Sequence, residues 1–359
     1  MDLDNKNEDF ILILQDATPL DYKGSISIHV LFDALQYAQL NEAELLRLLE
    51  HAQIQPELLR AEKARLTISQ FARFWVALAD HLNDEFFAMD QHAMRRGSFS
   101  LLSKSLTQYS HLKAALQHSL HFLNLILDDL QGKLLVEEHY AYIVIYDHTP
   151  KHGKSKTTFA YATYIMLIHS LMCWLSGQRI PLLQIQLKCA APIDDNDYKI
   201  RFCQQIHYQA DENYLQFDAN YLNLSIKQDQ KSWYAFIRQT PYNLLVRYKN
   251  PHSISAQIRK HLLEQAPSDW LELNELAAKM HLSDATMQRR LKHEGLSYQQ
   301  LKNDIRRDSA IEALTKTNKS LQHISDELNF HDVSAFHRAF KKWVGVSPGS
   351  YRLNQQQIS

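Results

Sequence analysis

Gln288, Arg289 and Lys292 form one short polar run near the C-terminus, and Ser334, His337, Arg338 and Lys341 form a second. An arginine guanidinium is a rigid fork that meets two acceptors at once, and a glutamine amide sets a donor beside an acceptor. These geometries match the major-groove edges of guanine, with two acceptors, and adenine, with an acceptor next to a donor. Lysine is a point charge suited to phosphate. The chemistry on offer is hydrogen-bond reading of nucleic-acid edges rather than bond breaking.

Such side chains can read bases only if helices hold them outward. In the first run, Leu273, Leu276, Ala277 and Met280 make the buried face of a supporting helix, and His281-Leu-Ser makes a turn. Ser283 is a good N-cap for the next helix. That helix carries Ala285, Thr286, Gln288, Arg289 and Lys292 outward, with Met287 and Leu291 inward. In the second run, Ile324 and Leu328 are core, Asn329 occupies a tight turn expected to be left-handed, and Asp332 caps the following helix. Val333, Ser334, His337 and Arg338 then face outward while Phe336 and Phe340 face inward. Ser297 with Gln300 is a capping-box pattern that starts a helix from about 298 to 316. That helix spans nearly 30 Å at ~1.5 Å per residue, and successive major-groove faces lie ~34 Å apart. Two helix-turn-helix units joined by one stiff helix predict a chain that reads consecutive turns of double-stranded DNA.

At 359 residues the chain has room for two or three domains. Its eight glycines are few, and neither G-x-G-x-x-G nor G-x-x-x-x-G-K-[ST] occurs, so the usual nucleotide-binding loops are absent. The net charge of -1 hides an asymmetry: residues 251–359 hold 15 Lys+Arg against 12 Asp+Glu, which is +3 and leaves -4 on 1–250. A weakly basic end on a weakly acidic body suits a DNA-binding module attached to something else. Cys173, Cys189 and Cys203 show no C-x-x-C or zinc spacing and read as buried, reduced thiols of a cytoplasmic protein. The acidic start, Met-Asp-Leu-Asp-Asn-Lys-Asn-Glu-Asp, is no signal peptide. The apolar run Tyr164 to Leu175 has 12 residues and includes His169. A spanning helix needs ~20, so the run reads as a core helix and no membrane partner is expected.

Residues 1–25 read as a loose leader. Helical spacing dominates from Ile28 to about Leu130, as in Ile68, Phe71, Phe74, Trp75, Leu78 and Leu82. Residues 133–146 switch to an aromatic and β-branched alternation, which predicts one strand covered on both faces. His148-Thr-Pro-Lys-His-Gly-Lys-Ser is a loop, about 157–176 a helix, and Leu183 to Cys189 a second strand. Shorter strands are expected near 205–209 and 214–218. Residues 228–248 read as helix, broken or kinked at Pro241. Pro251-His-Ser-Ile-Ser marks the boundary of the body. The fold class is mixed: an α+β N-terminal domain followed by an all-α C-terminal domain with two helix-turn-helix motifs joined by a linker helix.

Residues ~255–352 resemble the DNA-binding domain of the AraC/XylS family of bacterial transcription regulators. The resemblance rests on Leu276-Ala277, Ser283, Gln288-Arg-Arg-Leu-Lys292, Gly295-Leu-Ser297, Arg306 with Ala310, Phe336-His-Arg-Ala-Phe340-Lys, and Gly345-Val-Ser-Pro348 with Tyr351-Arg352. Two positions depart: Ser325 stands where the family usually has Ala, and Asn329 where it usually has Gly. The resemblance implies base contacts by Ala285, Gln288 and Arg289 in the first unit and Val333, Ser334, His337 and Arg338 in the second. Thr286, Lys292 and Lys341 join them as DNA-binding candidates. The body resembles, more weakly, the family's effector domain of the "arabinose-binding" type, through Leu58-Leu59, Arg65-Leu66, Phe71-Ala-Arg-Phe-Trp75, Pro192 with Asp194-Asp195, and Phe217-Asp218. That label need not describe the ligand. The implied division is a leader 1–25, an effector and dimerisation domain 26–240, a linker 241–254, the DNA module 255–352 and a tail 353–359.

Tyr140, Tyr142, Tyr146, Phe159, Tyr161 and Tyr164 cluster near the predicted strand and the following helix. They either line an apolar effector cavity or form core. His118 and His121, with Asp128 and Asp129, and His148 with His152, read as surface or packed residues rather than metal ligands. No cofactor, metal or catalytic set is expected, and the chain does not read as an enzyme. The resemblance implies a cytoplasmic bacterial regulator, usually an activator, with a small-molecule effector, a homodimeric state and RNA polymerase as a partner. The competing expectation is a constitutive DNA-binding protein whose body only dimerises or binds a partner protein.

Overall fold

The computed structural model describes residues 24–61, 64–246, 254–294, 296–344 and 346–356. In chain order its elements are β1 (Ser25–Ser27), α1 (Ile28–Ala38), α2 (Glu42–His51), β2 (Arg65–Thr67), α3 (Ile68–Leu82), α4 (Ser98–Leu106), α5 (Leu112–Ile126), β3 (Leu130–Glu137) and β4 (Tyr140–Asp147). They continue with α6 (Thr158–Ser176), β5 (Leu182–Gln186), α7 (Asn196–Arg201), β6 (Ile206–His207), β7 (Tyr214–Asp218), α8 (Gln230–Arg238) and α9 (Tyr242–Leu245). The remainder is helical: α10 (Ile254–Leu263), α11 (Leu273–Lys279), α12 (Asp284–His293), α13 (Tyr298–Lys316), α14 (Leu321–Glu327), α15 (Val333–Val344) and α16 (Pro348–Gln356). The mixed body and the all-helical C-terminal region are as the sequence predicts.

The chain divides into two compact units. The first is built from 30–48 and 71–246, the second from 24–29, 49–70 and 254 onward. Residues 49–70, expected within a body running 26–240, therefore cluster with the second unit. Ser25, expected in the leader, is paired in β1; residues 1–23 of that leader lie outside the described residues.

In the first unit a five-stranded sheet runs β3-β4-β7-β5-β6, antiparallel throughout except for the parallel β5–β6 pair. The stretch expected as one strand over 133–146 is a hairpin, β3 and β4, turning at Glu138 with φ +48 and His139. Nor is β4 covered on both faces. Ala141, Ile143 and Ile145 are buried, whereas Tyr140 and Tyr146 are exposed. Alternation places them on opposite faces, and one of these meets solvent.

All 19 residues of α6 are buried. A helix apolar all round must be wrapped on every side. Although α6 is long and apolar enough to cross a membrane, it is the interior helix of this unit. Gly177, left-handed at φ +67, ends it by donating to the carbonyls of Cys173 and Trp174. Trp174 stacks on Phe236 at 4.4 Å, and Trp233 Nε1 donates to Ser103 Oγ at 3.0 Å, so α8 is fixed against the interior. The helix expected over 228–248 is α8 and α9, separated at the cis Thr240–Pro241 bond. Because α9 packs on α6, Pro241 to Val246 belong to this unit rather than to the linker expected over 241–254. The boundary marked by Pro251-His-Ser lies outside the described residues. Of the cysteines expected to be buried only Cys173 is; Cys189 and Cys203 are half-buried, and all three are free.

The second unit holds two helical cores that share α13. Ile258, Leu262, Leu276, Met287 and Leu291 pack with Leu301 and Ile305 from its first half. Ile324, Phe336, Phe340 and Tyr351 pack with Ile311 and Leu314 from its second half. In this unit β1 pairs with β2, and the Arg65 carbonyl accepts from Tyr351 Oη at 3.0 Å. The last helix, α16, is capped by Ser347 and runs on to Gln356 through much of the expected tail.

Candidate nucleic-acid interface

Each helix-turn-helix is set by local chemistry. Ser283 accepts from Thr286 N–H at 3.3 Å and starts α12; Asp332 Oδ1 accepts from Ala335 N–H at 2.6 Å and starts α15. The Ala335 N–H first, and then His331, hold the Asp332 carboxyl below the usual range. Asn329 is left-handed at φ +55, as the tight turn requires. His281 has the same φ of +55 in the turn of the first helix-turn-helix. The two turns are therefore conformational equivalents, although neither carries glycine. The capping box at α13 is present in both directions: Gln300 N–H to Ser297 Oγ at 3.2 Å, and Ser297 N–H to Gln300 Oε1 at 2.8 Å.

On α12, Ala285, Gln288, Arg289 and Lys292 are exposed, and Thr286 is half-buried with its hydroxyl 2.9 Å from Ser283 Oγ. On α15, Ser334, Arg338 and Lys341 are exposed, and Val333 and His337 are half-buried. Met287, Leu291, Phe336 and Phe340 are buried beneath them. Among the described residues neither Arg289 nor Arg338 takes part in a hydrogen bond or close ion pair; the Arg338 charge helps to hold the Asp332 carboxyl low, and the N–H donors of both forks can meet acceptors on a base edge.

One residue that pattern reading did not assign a role ties the two motifs together. The Arg306 guanidinium on α13 lies over Trp270 at 5.0 Å and Phe330 at 5.8 Å, and its Nε donates to the Leu328 carbonyl at 3.1 Å. Asn329 Nδ2 adds a bond to the Pro267 carbonyl at 3.3 Å. An aromatic just before the first motif and another in the turn of the second, both facing one arginine on the shared helix, were the available signal.

The six aromatic effector candidates lie in different surroundings. Tyr140 and Tyr146 are exposed on β4; Tyr142 packs edge-on against Tyr214 at 5.5 Å and accepts from Gln216. Phe159, Tyr161 and Tyr164 are buried on α6. Phe159 packs against Trp75 and Phe87, and Tyr161 Oη donates to Asp147 at 2.6 Å. Tyr164 lies against Gly132 and Leu120. His118 is 3.1 Å from Ser105 Oγ and packs on Tyr109, whereas Asp129 pairs with the buried Lys156. No group of His, Cys, Asp and Glu arranged to hold a metal occurs among the described residues.

Two recognition helices on one shared helix define a double helix-turn-helix DNA-binding protein. Residues 43–226 match the model of the arabinose-binding domain of AraC transcription regulators, and 276–354 match a helix-turn-helix domain. The chain belongs to the AraC family of transcription regulators. It is 22% identical over 306 residues to the ornithine utilization regulator of Pseudomonas aeruginosa, covering 85% of this chain and 89% of that one. It is 32% identical over 97 residues to the urease operon transcriptional activator of Escherichia coli, covering 27% and 33%. A crystal structure of the transcriptional regulator CdpR from Pseudomonas aeruginosa aligns over 88% of this chain and 99% of its own, with 15% identity and a TM-score of 0.31. The relatives are regulators rather than enzymes.

Proposed function

We propose that this chain is a cytoplasmic bacterial regulator, acting as an activator, whose first unit binds a small-molecule effector and dimerises. Its second unit then binds promoter DNA and contacts RNA polymerase. The observation that carries the DNA reading is the pair of exposed guanidiniums, Arg289 and Arg338, on two capped helices braced by α13. Ala285, Thr286, Gln288 and Lys292 are proposed to complete the first contact surface, with Val333, Ser334, His337 and Lys341 completing the second. The proposed domain division puts the DNA module at 255–352. Effector binding would shift the population between DNA-competent and incompetent arrangements, by no more than its differential affinity for the two.

The test is selection of DNA sites from a random pool with the full chain, followed by a thermal-shift screen against sugars, amino acids, fatty acids and aromatic acids. A ligand at 100 times its Kd adds about 2.7 kcal/mol of stability. A hit that also changes affinity for the selected site supports ligand control. A folded, dimeric protein that binds its site and responds to nothing supports the constitutive alternative.

A further inference from the structure

The two edges of the five-stranded sheet are unlike: β6 is two residues long and β3 is eight. An edge strand offers alternate N–H and C=O groups to whatever lies beside it, and a two-residue edge offers almost none. Gly132 of β3 gives its N–H to Asn124 Oδ1 at 2.8 Å and accepts from Asn124 Nδ2 at 3.0 Å. Its backbone therefore points away from β4, and in an antiparallel ladder so do Leu134 and Val136. The His148 N–H, which donates to the Asp129 carbonyl at 2.7 Å, fixes the same alternation from the other side. The Asn124 amide thus stands in for a neighbouring strand at Gly132. Among the described residues nothing does this for Leu134 or Val136, and Val136 is 47% exposed.

The side chains along this open edge are complementary to themselves. Lys133, Leu135 and Glu137 share one face of β3, and the two charged residues are exposed. Neither charge takes part in an ion pair or hydrogen bond among the described residues. A second β3 laid antiparallel about a two-fold axis at Leu135 brings outward-facing backbone to outward-facing backbone. Leu134 then exchanges two hydrogen bonds with Val136 of the second copy, and Val136 two with Leu134 of the second copy. Lys133 stands directly opposite Glu137 of the second copy, and Glu137 opposite its Lys133. Residues so placed have Cβ atoms ~4.5–5.5 Å apart, close enough to interact. The neighbouring symmetric registers, centred on Leu134 or on Val136, set Lys133 against Leu135 or His139 and form no ion pair. On the same face Leu135 meets its own counterpart, and Tyr142 lies beside Leu135 on β4, so an apolar row runs across the junction.

Resting on the dimerising role proposed for the first unit, we infer that the open edge of β3 is the dimer contact. Its occupant is a second copy of this chain, paired antiparallel about Leu135 so that the two sheets become one. Asn124 stops the pairing at Gly132 and confines it to residues 133–137. The contact is isologous and uses up the long edge of both copies, so it closes at two. A stable dimer buries ~800 Å² per partner, far more than a few edge residues supply. The pairing is therefore weak alone and gains most when adjacent DNA sites hold two copies close together.

Sedimentation velocity of the full chain over a wide concentration range, alone and on a duplex carrying two selected sites, measures self-association. Lys133→Glu sets carboxylates against each other at both ends of the pairing, and Glu137→Lys sets ammonium groups. Each should weaken self-association about tenfold. The double variant should restore it, and an equimolar mixture of the two single variants should associate although neither does so well by itself. Val136→Pro removes an N–H that β4 does not use and should abolish the pairing, with binding to a single-site duplex reporting that the chain is folded. Single variants that associate like the native protein, or a folded Val136→Pro that still does, overturn β3 as the contact and leave dimerisation to another surface. Weakening that neither the double variant nor the mixture repairs overturns the register. Stronger association in Lys133→Glu would show that Lys133 guards the edge against pairing, which also overturns the inference. A native chain monomeric both alone and on DNA overturns the inference and the dimerising role together.

Discussion

The guanidinium of Arg306 lies 5.0 Å from the ring of Trp270, although Arg306 stands midway along the helix that links the two motifs and Trp270 precedes the first. The same group reaches Leu328 and Phe330 at the turn of the second. Arg306→Ala should therefore leave each recognition helix intact while loosening the angle between them. The expected outcome is a loss of affinity for DNA bearing both half-sites of up to roughly thirtyfold, since a cation–π contact and a hydrogen bond each contribute about 1 kcal/mol. Affinity for a single half-site should barely change. Fluorescence anisotropy on the two duplexes distinguishes the cases; equal losses on both would show a general stability defect instead.

Arg338→Ala should cost about 1–3 kcal/mol of binding and relax selectivity at one base pair. Lys341→Ala should weaken all sequences alike and reduce the salt slope by about 1. Competition binding at several salt concentrations reads both. If Arg338→Ala keeps full selectivity, α15 docks in some other orientation.

Gly132 of β3 lies against Leu120 of α5 and Tyr164 of α6. A Cβ there would sit 2.6 Å from Leu120 Cδ2 and collide with the Tyr164 hydroxyl. Gly132→Ala should destabilise the first unit by about 1–3 kcal/mol through overpacking. Adding Tyr164→Phe should recover part of that loss. Urea unfolding measures both, and a neutral Gly132→Ala would mean that the strand shifts freely.

His169 makes stability depend on acid. In the unfolded chain its ring takes up a proton below about 6.5, whereas in the fold it stays neutral down to about 3. The unfolded state thus binds more protons throughout that window, so this residue's contribution to stability falls as pH drops from 6.5 toward 3. The slope is roughly 1 kcal/mol per pH unit. His169→Gln keeps a donor and an acceptor but does not titrate. The stability difference between native protein and variant should move in the variant's favour as the pH is lowered, and a difference constant from pH 7 to 4 would contradict a buried neutral ring.

What could be read from the residues was what is decided within a few residues. Ser297 with Gln300, Asn329 and Asp332 each act on backbone three positions away or less, and each does what its type suggests. The β3–β4 turn was missed because Glu138 and His139 carry no Gly, Asn or Asp signal for a two-residue hairpin. Burial of the β4 tyrosines could not be judged from alternation, which shows that two faces exist but not what covers either. β1 and β2 pair across forty positions with three residues each, too few to show a period. The buried contacts of Arg201 with Ser170 and Leu244 join segments far apart in sequence, and no local pattern reports them.

The complete burial of α6 also has a consequence for how the chain is made. Synthesis delivers α6 before β7, α8 and α9 exist. Until Phe236 can stack on Trp174 and Leu244 can meet Arg201, the nascent chain carries a nineteen-residue apolar rod with part of its circumference bare. A fragment ended at residue 226, where the arabinose-binding match stops, would stay in that condition. One ended at Val246 would not, so expression of the first unit alone should succeed or aggregate according to those twenty residues.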